Sequence, residues 1–199
     1  MSVVVRVLGP LEVISHGRPV LISAGKERGL LVLLALQSGR VVPSERLIEA
    51  LWDGEPPPSV ETSLRVLVSR VRKTMSQAGA GRSIITRSPG YVLNVDEVDV
   101  AAIEALCVRG HHELADRRFA AASATLTQAL ALWRGERLAQ AGTRYLQAES
   151  DRFAEVRLTA LEARIEADLA RGRHADVLGD LAVLWPRPPA ARRALGAMD

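Results

Sequence analysis

Residues 30–36 read LLVLLAL, and that run limits what the chain can become. On a helix, Leu30, Leu31, Leu33, Leu34 and Leu36 wrap much of the cylinder and leave little of it for water. The run makes only about two turns, far short of the ~20 residues needed to span a bilayer. It belongs at the centre of a core that other elements must cover. Aromatic residues supply only 4% of the chain, so that core is built from Leu, Val and Ala, which favours packed helices. With 48% hydrophobic and 25% charged residues, disorder is not indicated. A length of 199 residues holds one large domain or two small ones.

The segments on either side have different periods. VVVRVL at 3–8, LEVIS at 11–15 and RPVLI at 18–22 are short and β-branched, broken by Gly9-Pro10 and by a turn at His16-Gly17. They predict a small antiparallel meander. The leucine helix then starts near Ser23 and stops at Gly39. Ser44 fits the N-cap of a second helix with Leu47, Ile48, Leu51 and Trp52 on its apolar face, and DGEPPP at 53–58 ends it. In Ser59 to Ser76, Val60, Leu64, Leu67, Val68, Val71 and Met75 recur at steps of three and four. SIITR at 83–87 and YVLNV at 91–95 flank Ser88-Pro89-Gly90 as a hairpin. Gly90 is expected to supply a backbone conformation that other residues resist, and Tyr91 to pack into the core. Meander, three helices and hairpin together predict an α+β winged helix-turn-helix domain over residues 1–95.

Acidic residues Asp96 to Asp99 mark the expected boundary. Residues 99–199 then keep a helical period, with helices expected near 100–116, 119–133, 145–171, 175–185 and 190–198. Small residues at helix contacts and Gly breaks predict an all-α domain of stacked, TPR-like hairpins. Trp133 and Trp185 read as core fillers.

Thr62, Arg65, Val66, Ser69, Arg72, Lys73 and Ser76 fall opposite the apolar stripe of Ser59 to Ser76. Hydroxyls and guanidinium groups suit phosphates and base edges. Taken alone, the segment reads first as a surface helix with a solvated basic face, the default for exposed charge. The charge distribution adds to the phosphate and base-edge reading. Residues 1–95 carry 12 Lys and Arg against 7 Asp and Glu, whereas residues 96–199 carry 14 against 16. Positive charge is concentrated where a polyanion would bind.

No catalytic or metal constellation is visible, so neither an enzyme nor a cofactor is expected. His111 and His112 are adjacent and point about 100° apart on a helix, which is no two-ligand face. Cys107, the only cysteine, sits among apolar residues as a small hydrophobe, and its solitude fits a reducing cytosol. The N-terminus has no basic leader, so a secretory signal is not expected, and no segment approaches the length needed to span a bilayer.

VRVLGPLEV at 5–13, GKERGLLVLLAL at 25–36, ERLIEALW at 45–52, LRVLVSRVRK at 64–73 and TRSPGYVL at 86–93 resemble, in order, the OmpR-type winged helix. ALALWRGERLA at 129–139 and RLTALEARIEADLARGRHADVLGDL at 157–181 resemble the bacterial transcriptional activation domain. The whole series resembles the Streptomyces antibiotic regulatory protein family. The resemblance implies a cytoplasmic, nucleoid-associated activator of a secondary-metabolite gene cluster. Such a protein binds direct repeats in double-stranded promoter DNA, usually as two protomers. It recruits RNA polymerase through its housekeeping sigma factor. The family's activation domain extends over more helices than this chain holds, so the second domain is expected to be incomplete. Two alternatives follow: a member that occupies promoters without activating them, or an interaction adapter that works through its helical half.

Carried onto this sequence, the family's DNA contacts fall on Thr62, Arg65, Val66 and Ser69 as base-edge groups. Arg70, Arg72 and Lys73 become phosphate contacts, and Arg87 does so in the wing. Lys26 and Arg28 are either solvated or within reach of a phosphate or a neighbouring protomer. Asp53 and Glu55, in the loop between the second and third helices, are the polymerase-contact candidates.

Overall fold

The computed structural model describes residues 2–23, 25–135, 138, 142–174 and 177. The helices expected over 175–185 and 190–198, with Trp185, lie outside the described residues apart from Val177. Contacts group the chain into two compact units. One holds 1–105 and 131–156; the other holds 106–130 and 157–199. The units interleave along the chain, whereas the sequence predicts a single linear break near residue 96.

In the first unit, β1 (Val3–Arg6), β2 (Glu12–Ser15) and β3 (Arg18–Pro19) form the expected meander. Val4 pairs with Ile14, and Ile14 in turn with Pro19. The third strand stops at Pro19, short of the expected 18–22, and Leu21 beyond it is 88% exposed. A fourth strand, β7 (Glu97–Val98), lies parallel to β1 on its other side, Val5 facing Val98.

Helix α1 (Lys26–Leu36) begins after Gly25, not at Ser23; Gly25 has φ 77°, which a glycine adopts readily. Every residue from Gly29 to Ala35 is buried. Helices α2 (Ser44–Trp52) and α3 (Val60–Gln77) both pack on it, as does β6 (Gly90–Leu93). Gly29 admits the α2 side chain Leu51: a Cβ there would sit 3.0 Å from Leu51 Cδ2. Pro43, not Ser44, occupies the α2 cap position, and the Ser44 amide donates to Pro89 O at 3.2 Å.

A second sheet, ordered β4-β6-β5, holds the hairpin, with β4 (Val42–Pro43) and β5 (Ile84–Arg87) on either side of β6. Gly90 is needed for a reason other than the one expected. Its φ is not in the left-handed region. A Cβ at this position would run into the Val42 carbonyl and lie 2.8 Å from Pro43 Cα. The missing side chain lets β4 lie directly on the hairpin.

Residues 96–99, the expected boundary, are bonded into the first unit. Asp96 Oδ2 accepts the Val3 amide at 2.7 Å. Asp99 is the first residue of α4 (Asp99–Ala115) and is 4% exposed. Its carboxylate accepts the amides of Val7 and Leu8 at 2.9 Å, at the turn after β1. Arg134 Nη2 stands 3.7 Å away, while Arg134 Nη1 meets Glu12 Oε1 at 2.7 Å and the Arg134 amide donates to Leu8 O. Burial pushes the Asp99 carboxyl above the usual range, against the opposing pull of the Leu8 and Val7 amides and of Arg134. Without this acceptor, each buried amide would cost about 1–3 kcal/mol.

The second unit contains the end of α4, α5 (Phe119–Ala131) and the end of α6 (Arg144–Ala170). α4 and α5 form a helical hairpin of the TPR-like kind, turning at Arg117 with φ 57°. Gly110 opens the crossing: a Cβ there would be 2.6 Å from the Leu126 side chain. Ala160, Ala163 and Ala167 give α6 a small-residue buried face, and buried Asp168 accepts the Ser123 hydroxyl at 2.8 Å. Cys107 is buried, as expected of a small hydrophobe.

Substituting Gly90→Ala should destabilise the protein by about 1–3 kcal/mol through overpacking against β4. Urea denaturation of the purified chain measures this directly.

Candidate nucleic-acid interface

Helix α3 divides as its period demands. Leu64, Leu67, Val68, Val71 and Met75 are buried, and Val60 at the first turn is partly so. Thr62, Arg65, Val66, Ser69, Arg70 and Lys73 are exposed. Val66 is 45% exposed, an apolar methyl pair left among hydroxyls and cations. Arg65 Nη2 lies 3.4 Å from Glu61 Oε2 one turn earlier, with both side chains more than 70% exposed. Pairs of this kind contribute about 0.3–0.5 kcal/mol, so Arg65 is free to change partner.

Arg72 differs from the rest of the polar face. Its Nε donates to Ile84 O at 3.0 Å and its Nη2 to Thr86 Oγ1 at 2.8 Å. Its guanidinium lies 5.8 Å from the centre of the Tyr91 ring. It is turned into the hairpin, away from the Thr62–Lys73 face. The helical spacing places Arg72 with the outer residues, yet the structure leaves it half-buried at the border of the stripe. Thr86, which sequence reasoning missed as a partner, carries no signal of its own beyond its place in a strand. Arg87 is exposed at the end of β5, opposite Gly90. Tyr91 is buried, as expected.

The basic groups at the start of α1 are engaged within the protein. Lys26 Nζ donates to Leu51 O at 2.8 Å and sits 4.9 Å over the Trp52 ring. Arg28 Nε donates to Ile22 O at 3.2 Å. Trp52 is half-buried beneath Lys26. Of the two loop acids, Glu55 is exposed and Asp53 is not free. Asp53 Oδ1 accepts the Arg144 amide at 2.9 Å, and Asp53 O accepts Arg144 Nη2 at the same distance. Next to it, Arg46 Nη2 donates to the Tyr145 hydroxyl at 2.9 Å. Asp53 thus receives the first amide of α6, alongside Thr143, whose hydroxyl accepts the Leu146 amide at 3.4 Å. Sequence spacing cannot reveal the Asp53 bond, since its partners are 91 residues apart.

Among the described residues no His, Cys, Asp and Glu cluster could hold a metal ion. No described helix is long and apolar enough to cross a membrane.

A helix with a buried stripe and a hydroxyl- and guanidinium-bearing outer face, with a hairpin wing beside it, defines a DNA-binding transcriptional regulator of the winged helix-turn-helix class. The comparisons agree. Residues 17–93 match the family model of the C-terminal domain of transcriptional regulatory proteins, and residues 98–197 match the bacterial transcriptional activator domain. The regulatory protein DnrI of Streptomyces peucetius is 39% identical over 196 residues, covering 93% of this chain and 72% of that protein. The regulatory protein AfsR of Streptomyces coelicolor is 32% identical over 190 residues, covering 94% of this chain but only 19% of that protein. The solved structure of Mycobacterium tuberculosis EmbR in complex with a low-affinity phosphopeptide superposes with a TM-score of 0.81 at 30% identity, over 92% of this chain and 49% of that one. The chain belongs to the Streptomyces antibiotic regulatory protein family.

Asp53→Ala removes the acceptor of the first α6 amide and should cost about 1 kcal/mol of stability. Glu55→Ala, on the same loop but exposed, should stay within about 0.5 kcal/mol of the parent protein. Paired urea titrations of the two variants make the comparison.

Proposed function

We propose that this regulator activates a biosynthetic gene cluster, of the secondary-metabolite type, by binding direct repeats in its promoters with a second protomer alongside. The observation that carries the reading is the division of α3. Its packing on α1 leaves Thr62, Arg65, Val66 and Ser69 pointing away from the core on one accessible face. In this reading those four residues meet base edges in the major groove: Arg65 pairs with a guanine, and Val66 touches a thymine methyl. Arg70 and Lys73 neutralise phosphates on α3, and Arg87 does so from the wing. The protein works in the cytoplasm on the nucleoid.

Activation requires a contact with RNA polymerase carrying its housekeeping sigma factor. Within the loop between α2 and α3, Glu55 is the side chain available for that contact, because Asp53 is committed to α6. The match to the bacterial transcriptional activator domain supports activation over mere promoter occupancy.

Footprinting on the promoters nearest the gene, followed by transcription with purified polymerase on the protected fragment, tests both steps. The expected outcome is two protected, repeated blocks and a rise in transcript. Arg65→Ala should weaken binding by about 1–3 kcal/mol and relax the preference at one base position. Promoter affinity unchanged in a gel-shift titration would remove Arg65 from the reading surface.

A further inference from the structure

We infer that Arg72 is a positioning residue that fixes the wing relative to the reading face of α3, and that it does not itself hold a phosphate. The inference rests on the reading of α3 and the wing as the DNA-binding surface, and it sharpens how the two act together.

Strand β5 is the outer edge of its sheet. Ser83 O accepts the Asn94 amide, so it points inward towards the strand that follows the hairpin. By the alternation of a strand, the next carbonyl, Ile84 O, points off the open edge, where no strand can meet it. Arg72 Nε is its partner at 3.0 Å. Thr86 and Tyr91 are opposite one another in the hairpin register, so their side chains share one face of the sheet. Arg72 reaches both, through the 2.8 Å bond to Thr86 Oγ1 and by lying over the Tyr91 ring. One guanidinium thus holds the hairpin at a backbone edge, a hydroxyl and an aromatic face. A rigid fork with several donors suits this task where a lysine would not.

The consequence concerns spacing. Arg72 lies three residues after Ser69 on α3, and Thr86 immediately precedes Arg87 in the wing. The clamp therefore sets the separation between groups that meet base edges and the wing cation that meets the backbone. Without it the hairpin keeps its contact with β4 and the bond from the Ser44 amide to Pro89 O, but its outer strand loses its hold on α3.

Two variants and two readouts test this. Arg72→Ala removes the whole clamp. Thr86→Val removes one bond without changing charge. Amide hydrogen exchange on the free protein should speed up at least about tenfold over residues 84–87 in Arg72→Ala and change in the same direction in Thr86→Val, with α1 and the buried side of α3 unchanged. Exchange at 84–87 equal to wild type in both variants overturns the inference, whether or not the chain binds DNA. On a duplex that wild type protects, Arg72→Ala should weaken binding about tenfold, yet cost less than twofold when added to Arg87→Ala. Losses from Arg72→Ala and Arg87→Ala that multiply, with Thr86→Val binding like wild type, identify Arg72 as an independent phosphate contact and overturn it. If Arg72→Ala does not fold, Thr86→Val combined with Arg87→Ala decides by the same rule. Failure of wild type to bind any such duplex is a separate result, which removes the DNA-binding reading and leaves the exchange comparison standing.

Discussion

Burial of α1 is the constraint on which the first unit depends. From Gly29 to Ala35 the helix has no face left for water. Each neighbouring element must therefore give up an apolar surface to it: the stripe of α3, the Leu47 and Leu51 side of α2, and β6. For α3, the spacing that buries Leu64, Leu67, Val68, Val71 and Met75 also turns Thr62, Arg65 and Ser69 outward. The proposed reading surface is a by-product of the packing. In that proposal, changes to the leucine run would disturb recognition without touching any residue proposed to meet DNA.

Two buried or half-buried carboxylates tie later parts of the chain to this unit. Asp99 gathers the amides after β1 and the cation of Arg134; Asp53 receives the first amide of α6. Both bonds join residues that are distant in sequence, and both use an acid to receive backbone N–H groups. The activator-domain match begins at residue 98, yet residues 98–105 and 131–156 pack with the winged helix. Family boundaries and packing boundaries are different things in this chain.

Whatever is periodic was legible in the sequence. The stripe of α3, the apolar run of α1 and the hairpin around Ser88-Pro89-Gly90 all rest on local spacing, and they carried the fold. Long-range chemistry was not legible. Asp96 to Asp99 look only like an acidic domain boundary because nothing local reveals the amides of Val3, Val7 and Leu8 that they receive. Lys26 and Arg28 look available until the carbonyls of Leu51 and Ile22 are seen to hold them. Gly90 was recognisable as a necessary glycine, but its reason, the approach of β4, lies nearly fifty residues upstream. On the candidate surface, Arg72 shared its charge and helix with Arg70 and Lys73, and only the structure separates it from them.

Binding by this surface should depend on counterion release, and that is the property to measure. Fluorescence anisotropy with a labelled promoter duplex and a scrambled one, repeated at rising salt, gives the slope of log K against log salt. Phosphate contacts from Arg70, Lys73 and Arg87 should produce a slope of about −3 per protomer, since each neutralised phosphate contributes about −0.9. The promoter should keep its advantage over the scrambled duplex at every salt concentration. A flat slope, or equal affinity for the two duplexes throughout, would contradict sequence-specific recognition by the outer face of α3.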